Sequence, residues 1–373
     1  MDNLCAPSAN HLEEIARNRK LNLQEQFAQY ENLRSMPLHV AVPTGDRCNL
    51  RCIFCTDRNP STARYTDQTF EGFLRFVEPV DKASLVQLYG WGEPFVNRVY
   101  EKMFDYVTSR FAGARIYIST NGVLLSGDRV ERILAYGKCL INISLNAATP
   151  ETYVAITGYD RFNRVVRNIR ELIQGREERN EKDLVITLSF TATRINIHEF
   201  PRFIELSDDL GIKYVVLQDL NLLEESHVQL YLGKEEKVAR GAFEEANNLA
   251  RQRGIYLDSF MHLPGKYFQQ DRTECAPYEL PRDCLAVWDQ EDDAPFHPQA
   301  GECYEPWMTF LMSQNGAVST CCRAREVMGN IYEKTFEEIW NGEMYRMYRR
   351  TINSFRPPEA CRGCPVKTGH DVR

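Results

Sequence analysis

Twelve cysteines stand among the 373 residues, and seven of them fall into two groups whose spacing could do chemistry. Cys48, Cys52 and Cys55 lie in one short stretch, Asp46-Arg47-Cys48-Asn49-Leu50-Arg51-Cys52-Ile53-Phe54-Cys55. Three thiolates on a compact loop can hold three corners of a cubane iron–sulfur cluster, leaving the fourth iron open to a substrate or cofactor. The plainer reading is a zinc site or incidental buried thiols. Zinc prefers four ligands in paired Cys-x-x-Cys spacing, and no fourth Cys or His lies close in sequence. In the second group, Cys303 and Cys321 have 17 residues between them, and Cys361 and Cys364 form a Cys-x-x-Cys pair. Four such thiolates suit a closed tetrahedral zinc or a fully protein-ligated 4Fe–4S cluster, and spacing alone favours zinc. Cys322 adjoins Cys321, and neighbouring strand side chains face opposite ways, so only one of the two is a ligand.

The rest of the composition says which role these thiols have. The N-terminus, Met1 to Lys20, is polar and carries Glu13 and Glu14, so a secretory signal is not expected. No apolar run approaches the roughly 20 residues of a membrane helix. The expected location is therefore the cytoplasm, where cysteines serve metals or catalysis more often than disulfides. Forty-five basic against fifty-two acidic residues give a net charge of −7, which argues against a nucleic acid held by bulk charge. Hydrophobic residues at 43% and charged ones at 26% are those of a globular chain, not a disordered or fibrous one.

Elements that could position the two groups follow from residue 38 onward. Short β-rich runs occur at Leu38–Val42, Leu85–Tyr89, Arg115–Ser119, Leu140–Leu145, Leu184–Phe190 and Lys213–Leu217. Helical stretches alternate with them: Phe70–Val77, Val99–Arg110, Arg129–Tyr136, Phe162–Gln174 and Ile197–Leu210. Six strands alternating with helices argue for a parallel α/β sheet. Thr149, Pro150 and Glu151 offer an N-cap, a first-position proline and a first-turn acid. Residues 1–37 read as an amphipathic helical lead-in too sparse in apolar residues for its own core. A charged helix over Lys234–Arg253 is followed by an irregular stretch, 261–300, that reads as a linker or active-site cover. The last segment opens with the apolar run Trp307–Met312, then Asn315-Gly316 and Ala317–Thr320, a strong hairpin signal, and continues into a helix over Phe336–Arg350.

Cys48-x3-Cys52-x2-Cys55, with Phe54 just before the third cysteine, resembles the signature of the radical S-adenosylmethionine (SAM) superfamily. The resemblance extends over about residues 38–220. Gly90-Trp91-Gly92-Glu93-Pro94 after the second strand looks like the family's Gly-Gly-Glu-Pro motif, with Trp91 where a Gly usually stands. The motif implies that Gly90, Gly92, Glu93 and Pro94 hold the amino group of SAM. Ser119 and Asn121 after strand three, and Ser144 and Asn146 after strand four, stand where relatives contact the ribose or carboxylate. Arg194 and Gln218, at the ends of strands five and six, are further candidates. The fold implied is a partial (β/α)6 TIM-type barrel over 38–260, with a small α+β domain over 301–373. That C-terminal segment resembles the Twitch domain, the shortened relative of SPASM. Cys303 with Pro306-Trp307, the hairpin to Cys321, Gly329-Asn330, Ile339-Trp340-Asn341 and the closing Cys361-Cys364 pair carry the likeness. Family spacing favours Cys321 over Cys322 and an auxiliary 4Fe–4S cluster over zinc.

The resemblance implies SAM and two 4Fe–4S clusters as cofactors, and a flavodoxin- or ferredoxin-type electron donor as partner. The family reaction splits SAM reductively and takes a hydrogen atom from an unactivated C–H bond of the substrate. A closed auxiliary cluster favours net oxidation of a small polar metabolite, such as a sugar or aminocyclitol, or of a peptide. The alternatives are epimerisation with a cysteine hydrogen donor, for which Cys275 and Cys284 are candidates, and oxidative peptide cross-linking. Nucleic-acid and membrane partners are not expected.

Overall fold

The computed structural model describes residues 9–55, 67–89, 92–111, 113–220, 225–232, 236–259, 302–321, 324, 326–362 and 364. Ten strands are described: β1 (His39–Pro43), β2 (Leu85–Tyr89), β3 (Arg115–Thr120), β4 (Cys139–Ser144), β5 (Val185–Thr191), β6 (Tyr214–Gln218), β7 (Tyr256–Ser259), β8 (Thr309–Met312), β9 (Ala317–Ser319) and β10 (Gly329–Asn330). The helices used below are α1 (Ala9–Phe27), α2 (Phe70–Val77), α3 (Tyr100–Arg110), α4 (Asp128–Tyr136), α5 (Pro150–Thr157) and α6 (Phe162–Glu178). After them come α7 (Phe200–Asp209), α8 (Glu225–Val228), α9 (Glu236–Gln252), α10 (Glu305–Met308), α11 (Phe336–Trp340) and α12 (Glu343–Thr351). Packing divides the chain into two compact units that are not successive stretches of sequence. One comprises Met1–Asp46, Thr66–Tyr117 and Arg282–Arg373; the other comprises Arg47–Tyr65 and Ile118–Pro281.

In the first unit the strand order is β10-β9-β8-β1-β2, followed by the start of β3. β1 runs parallel to β2, and β8 runs parallel to β1 with His39 opposite Thr309 and Ala41 opposite Leu311. The expected hairpin is present: β9 pairs antiparallel to β8, with Met312 opposite Val318. Its first strand also extends the barrel sheet, which hydrophobic patterning alone did not disclose. Gly316 in the turn has φ +83°, and a Cβ there would run into Asn330 and Tyr332. The single helix expected over 336–350 is two, α11 and α12, broken at Asn341-Gly342. A Cβ on Gly342 would lie 2.6 Å from the Glu338 carbonyl oxygen, so the chain turns there and restarts.

The lead-in helix α1 is held by polar contacts. Asn18, Asn22, Glu25 and Gln26 are all buried. Asn22 donates to the Trp307 carbonyl at 2.7 Å, and Asn18 accepts from the Met36 N–H at 2.8 Å. Side-chain amides that satisfy backbone groups can be buried without loss, so a helix with few apolar residues still docks.

In the second unit the end of β3 is followed by β4, β5, β6 and β7 in chain order, with β4 to β7 parallel. β7 is a seventh barrel strand beyond the six read from the sequence; four residues, one of them Asp258, give too short an alternation to mark a strand. Helix α6 buries Phe162, Val165, Val166, Ile169, Leu172 and Ile173 at i, i+3, i+4 spacing, the stripe a helix lays on a sheet. Parallel strands alternating with such helices make the partial TIM-type barrel expected from the sequence.

Candidate iron–sulfur and cofactor site

The loop bearing Cys48, Cys52 and Cys55 hangs on helix α5. Arg51 N–H donates to the Thr157 carbonyl at 2.9 Å and Ile53 N–H to the Ile156 carbonyl at 2.9 Å. Helix α5 starts as its sequence predicts, with the Thr149 side chain accepting from the Thr152 N–H and Pro150 in the first turn. It ends on Gly158, whose φ of 77° is left-handed. Its position is set from outside by Glu199, a buried carboxylate that accepts from Ala148 N–H at 2.8 Å and the Thr152 hydroxyl at 2.8 Å. Burial works to raise the Glu199 pKa, and hydrogen bonds from Thr149, Ala148 and Thr152 overcome it and hold the carboxyl below the usual range.

None of the three cysteines is in a disulfide among the described residues; Cys48 is exposed, and Cys52 and Cys55 are half-buried, as is Phe54. Cys48 Sγ accepts from the Leu50 N–H at 3.5 Å and from Asn121 Nδ2 at 3.8 Å. A thiol that already receives N–H donors and stands open to solvent suits a thiolate ligand of a cluster.

The other strand-end residues divide between solvent and internal bonding. Ser119 accepts from Asn142, and the Ser144 hydroxyl meets Ser189 at 3.2 Å. Asn142 also donates to Ser189 at 3.3 Å and accepts from Thr187 at 3.0 Å, completing a polar network across β4 and β5. Asn146, at φ 60°, is buried; its Oδ1 accepts from Thr191 N–H at 2.8 Å, and its carbonyl accepts from Asn196 at 2.9 Å. It braces one strand end against the next. Arg194 and Gln218 are exposed.

In the first unit, Gly92 is half-buried and Glu93 and Pro94 are buried. The Glu93 carboxylate accepts from Phe95 N–H at 3.3 Å and opens a short 3-10 turn, Pro94–Val96. Asn97, which sequence reading passed over, fixes that turn: its Nδ2 donates to the carbonyls of Thr44 at 2.6 Å and Gln68 at 2.8 Å. Gly90 lies outside the described residues, as do Cys275, Cys284 and Cys322.

The C-terminal thiols are more enclosed. Cys303 and Cys361 are buried, and Cys321 and Cys364 are half-buried. Burial pushes the Cys303 thiol up to about 12, against a hydrogen bond at Glu305 and with help from Glu305, Cys321 and Cys364 nearby. Burial, then Glu326, then Cys361 and Cys321 push the Tyr348 hydroxyl upward. Asn353 clamps Cys303 by the backbone, accepting from its N–H at 2.9 Å and donating to its carbonyl at 3.1 Å. Arg349, fully buried, donates to the carbonyls of Pro306 and Glu31 at 2.9 Å each and lies 4.5 Å over the Trp340 ring. Among the described residues no three His, Cys, Asp or Glu side chains converge as a single-ion site requires. The all-thiol donor set of Cys303, Cys321, Cys361 and Cys364 has the chemistry of an iron–sulfur cluster.

The family model described as "Radical SAM superfamily" matches residues 42–206, and the one described as "SPASM: Iron-sulfur cluster-binding domain" matches residues 303–365. The chain belongs to the radical SAM superfamily. It is a radical SAM enzyme with a SPASM-type iron–sulfur domain, and these domains imply SAM and two 4Fe–4S clusters as its cofactors. It is 23% identical over 335 residues, 87% of this chain and 86% of the relative, to the tungsten-containing aldehyde ferredoxin oxidoreductase cofactor-modifying protein of Pyrococcus furiosus. It is 24% identical over 310 residues, 81% of this chain and 82% of the relative, to the AdoMet-dependent heme synthase of Methanosarcina barkeri. Streptococcus suis SuiB bound to S-adenosylmethionine shares the fold at TM-score 0.62 and 15% identity, covering 97% of this chain and 78% of that one. Bound to its precursor peptide SuiA it gives 0.60 at 16% identity, over 95% and 76%. Among the described residues no helix is long and apolar enough to cross a membrane.

Proposed function

We propose that this radical SAM enzyme is a cytoplasmic oxidoreductase that removes a hydrogen atom from an unactivated C–H bond and carries away the electron left on the substrate. Reductive cleavage of S-adenosylmethionine, the source of the hydrogen-abstracting radical, is the chemistry that the bound cofactor and open cluster supply. Cys48, Cys52 and Cys55 hold that cluster. Gly92, Glu93 and Pro94, with Ser119 and Ser144, orient the cofactor. One feature of the sequence carries the oxidative assignment: Cys303, Cys321, Cys361 and Cys364 would together fill every ligand position of a 4Fe–4S cluster and leave none for a substrate. Its work in this reading is electron transfer.

The substrate is a small polar metabolite, a sugar or aminocyclitol, or a peptide. The peptide branch is supported by likeness to SuiB, and a larger cofactor-like substrate by the names of the curated relatives.

The electron donor is a flavodoxin- or ferredoxin-type protein. Arg51, Arg161, Arg164, Arg167 and Arg170 are exposed, and none is ion-paired among the described residues. Arg51 adjoins the cluster ligand Cys52, in a chain of net charge −7. Such exposed cations complement an acidic carrier. Anaerobic reconstitution with iron counting, followed by a 5′-deoxyadenosine assay, tests the whole reading. About eight irons and SAM-dependent 5′-deoxyadenosine are expected. About four irons with one zinc would remove the oxidative argument.

A further inference from the structure

The geometry points to Asn121 as a positioning residue for the open cluster, a donor to the ligand Cys48 that sets the cluster's reduction potential. This assignment differs from the cofactor contact that its place in the Ser119-Thr120-Asn121-Gly122 motif implies, and it rests on the radical SAM reading above. Asn121 Nδ2 has two hydrogens. One is directed to Cys48 Sγ at 3.8 Å and the other to Asn49 Oδ1 at 2.7 Å. The amide cannot turn over without loss, because Oδ1 accepts from the Val123 N–H at 3.0 Å. Three partners therefore fix which end faces the sulfur.

The turn that carries Asn121 is itself immobilised. Gly122 has φ +75°, and a Cβ there would meet Val165 Cγ1 at 2.9 Å and Ile143 Cγ2 at 3.1 Å. Its N–H donates to Thr120 Oγ1 at 3.0 Å. Asn168, buried on α6, donates to the carbonyls of Gly122 at 2.8 Å and Val123 at 3.1 Å. Asn168 thus holds the turn, the turn holds Asn121, and Asn121 addresses Cys48 alongside the Leu50 N–H. Donors to a ligating sulfur stabilise the more negative, reduced state of a cluster and raise its potential.

The test is an EPR-monitored redox titration of reconstituted holoenzyme for wild type, Asn121→Asp and Asn121→Ala. The signal that changes on adding SAM identifies the open cluster. SAM affinity is measured in parallel. Asn121→Ala is expected to lower the midpoint potential of that signal. Asn121→Asp, which replaces the donor by a charged acceptor, lowers it further, by more than the ~59 mV equal to a tenfold change for one electron. The auxiliary signal and the SAM affinity stay within twofold of wild type in both variants. An unchanged potential with weakened SAM binding would overturn the proposal in favour of a cofactor contact, and no change in either would leave Asn121 without the role. If wild type itself bound no SAM or gave no SAM-sensitive signal, the radical SAM reading would fail first, a result distinct from both.

Discussion

The two thiol groups of this protein solve opposite problems. The loop of Cys48, Cys52 and Cys55 is contiguous in sequence and solvent-accessible, held by its backbone N–H bonds to α5 carbonyls and by Asn121. The C-terminal set draws on three separated segments, buries Cys303 and Cys361, and is braced by Asn353 and Arg349. An open site has to admit a cofactor, so its scaffold lies behind it in a neighbouring helix. In the C-terminal set Cys303 and Cys361 are buried, and burial pushes the Cys303 thiol up. Exposure thus separates the two thiol groups: Cys48 is open to solvent, and Cys303 and Cys361 are buried.

Replacement of single ligands gives the largest test of that contrast. Cys52→Ala should lose about four irons and all SAM-dependent 5′-deoxyadenosine, read by iron assay and chromatography. Cys361→Ala should also lose about four irons but keep SAM cleavage, while substrate turnover stops. If Cys361→Ala turned over substrate normally, the electron-transfer role of the closed site would be lost.

Next comes the brace of the closed site. Arg349→Met removes the donors to the buried Pro306 carbonyl and the half-buried Glu31 carbonyl, a cost of about 3 kcal/mol. A fall in thermal midpoint with easier loss of auxiliary iron is expected; unaltered stability would show that the enclosure does not depend on this side chain.

The brace of the open site responds to pH. Glu199 is held below the usual carboxylate range in the folded protein. Its stabilisation is therefore complete above the unfolded value near 4.5 and is lost as pH falls through the folded one. Glu199→Gln should cost about 1–2 kcal/mol at pH 7, and the gap from wild type should narrow as pH falls below 4.5 and through the folded value. Urea melts at both pH values measure it, and a gap that widened on acidification would contradict the assignment.

The smallest effect belongs to Thr335, whose side chain accepts from the Glu338 N–H in a capping box at the start of α11. Thr335→Ala should cost about 1 kcal/mol and leave both clusters in place, checked by a urea melt and iron content.

Both thiol groups were legible in the sequence because ligand chemistry fixes residue type, and short spacing along the chain keeps Cys48 to Cys55, and Cys361 to Cys364, close whatever surrounds them. The strands from β1 to β6 and the cap of α5 were legible for a similar reason: alternation, apolar stripes and Thr149-Pro150 act over a few residues. Asn97, Asn168, Glu199, Arg349 and Asn353 carried no comparable signal, and for Asn121 the motif pointed to the cofactor and not to Cys48. Each is a common polar side chain whose meaning lies in a partner that may be dozens or hundreds of residues away, as with Arg349 and Glu31. The same holds for the parallel pairing of β8 with β1 and for the short strand β7. The sequence by itself determined which atoms can bind iron and where strands and helices begin. Tertiary structure alone decided which thiols are exposed, which are enclosed and which amide faces which sulfur, because burial and hydrogen-bond partnership are properties of residues brought together from across the chain.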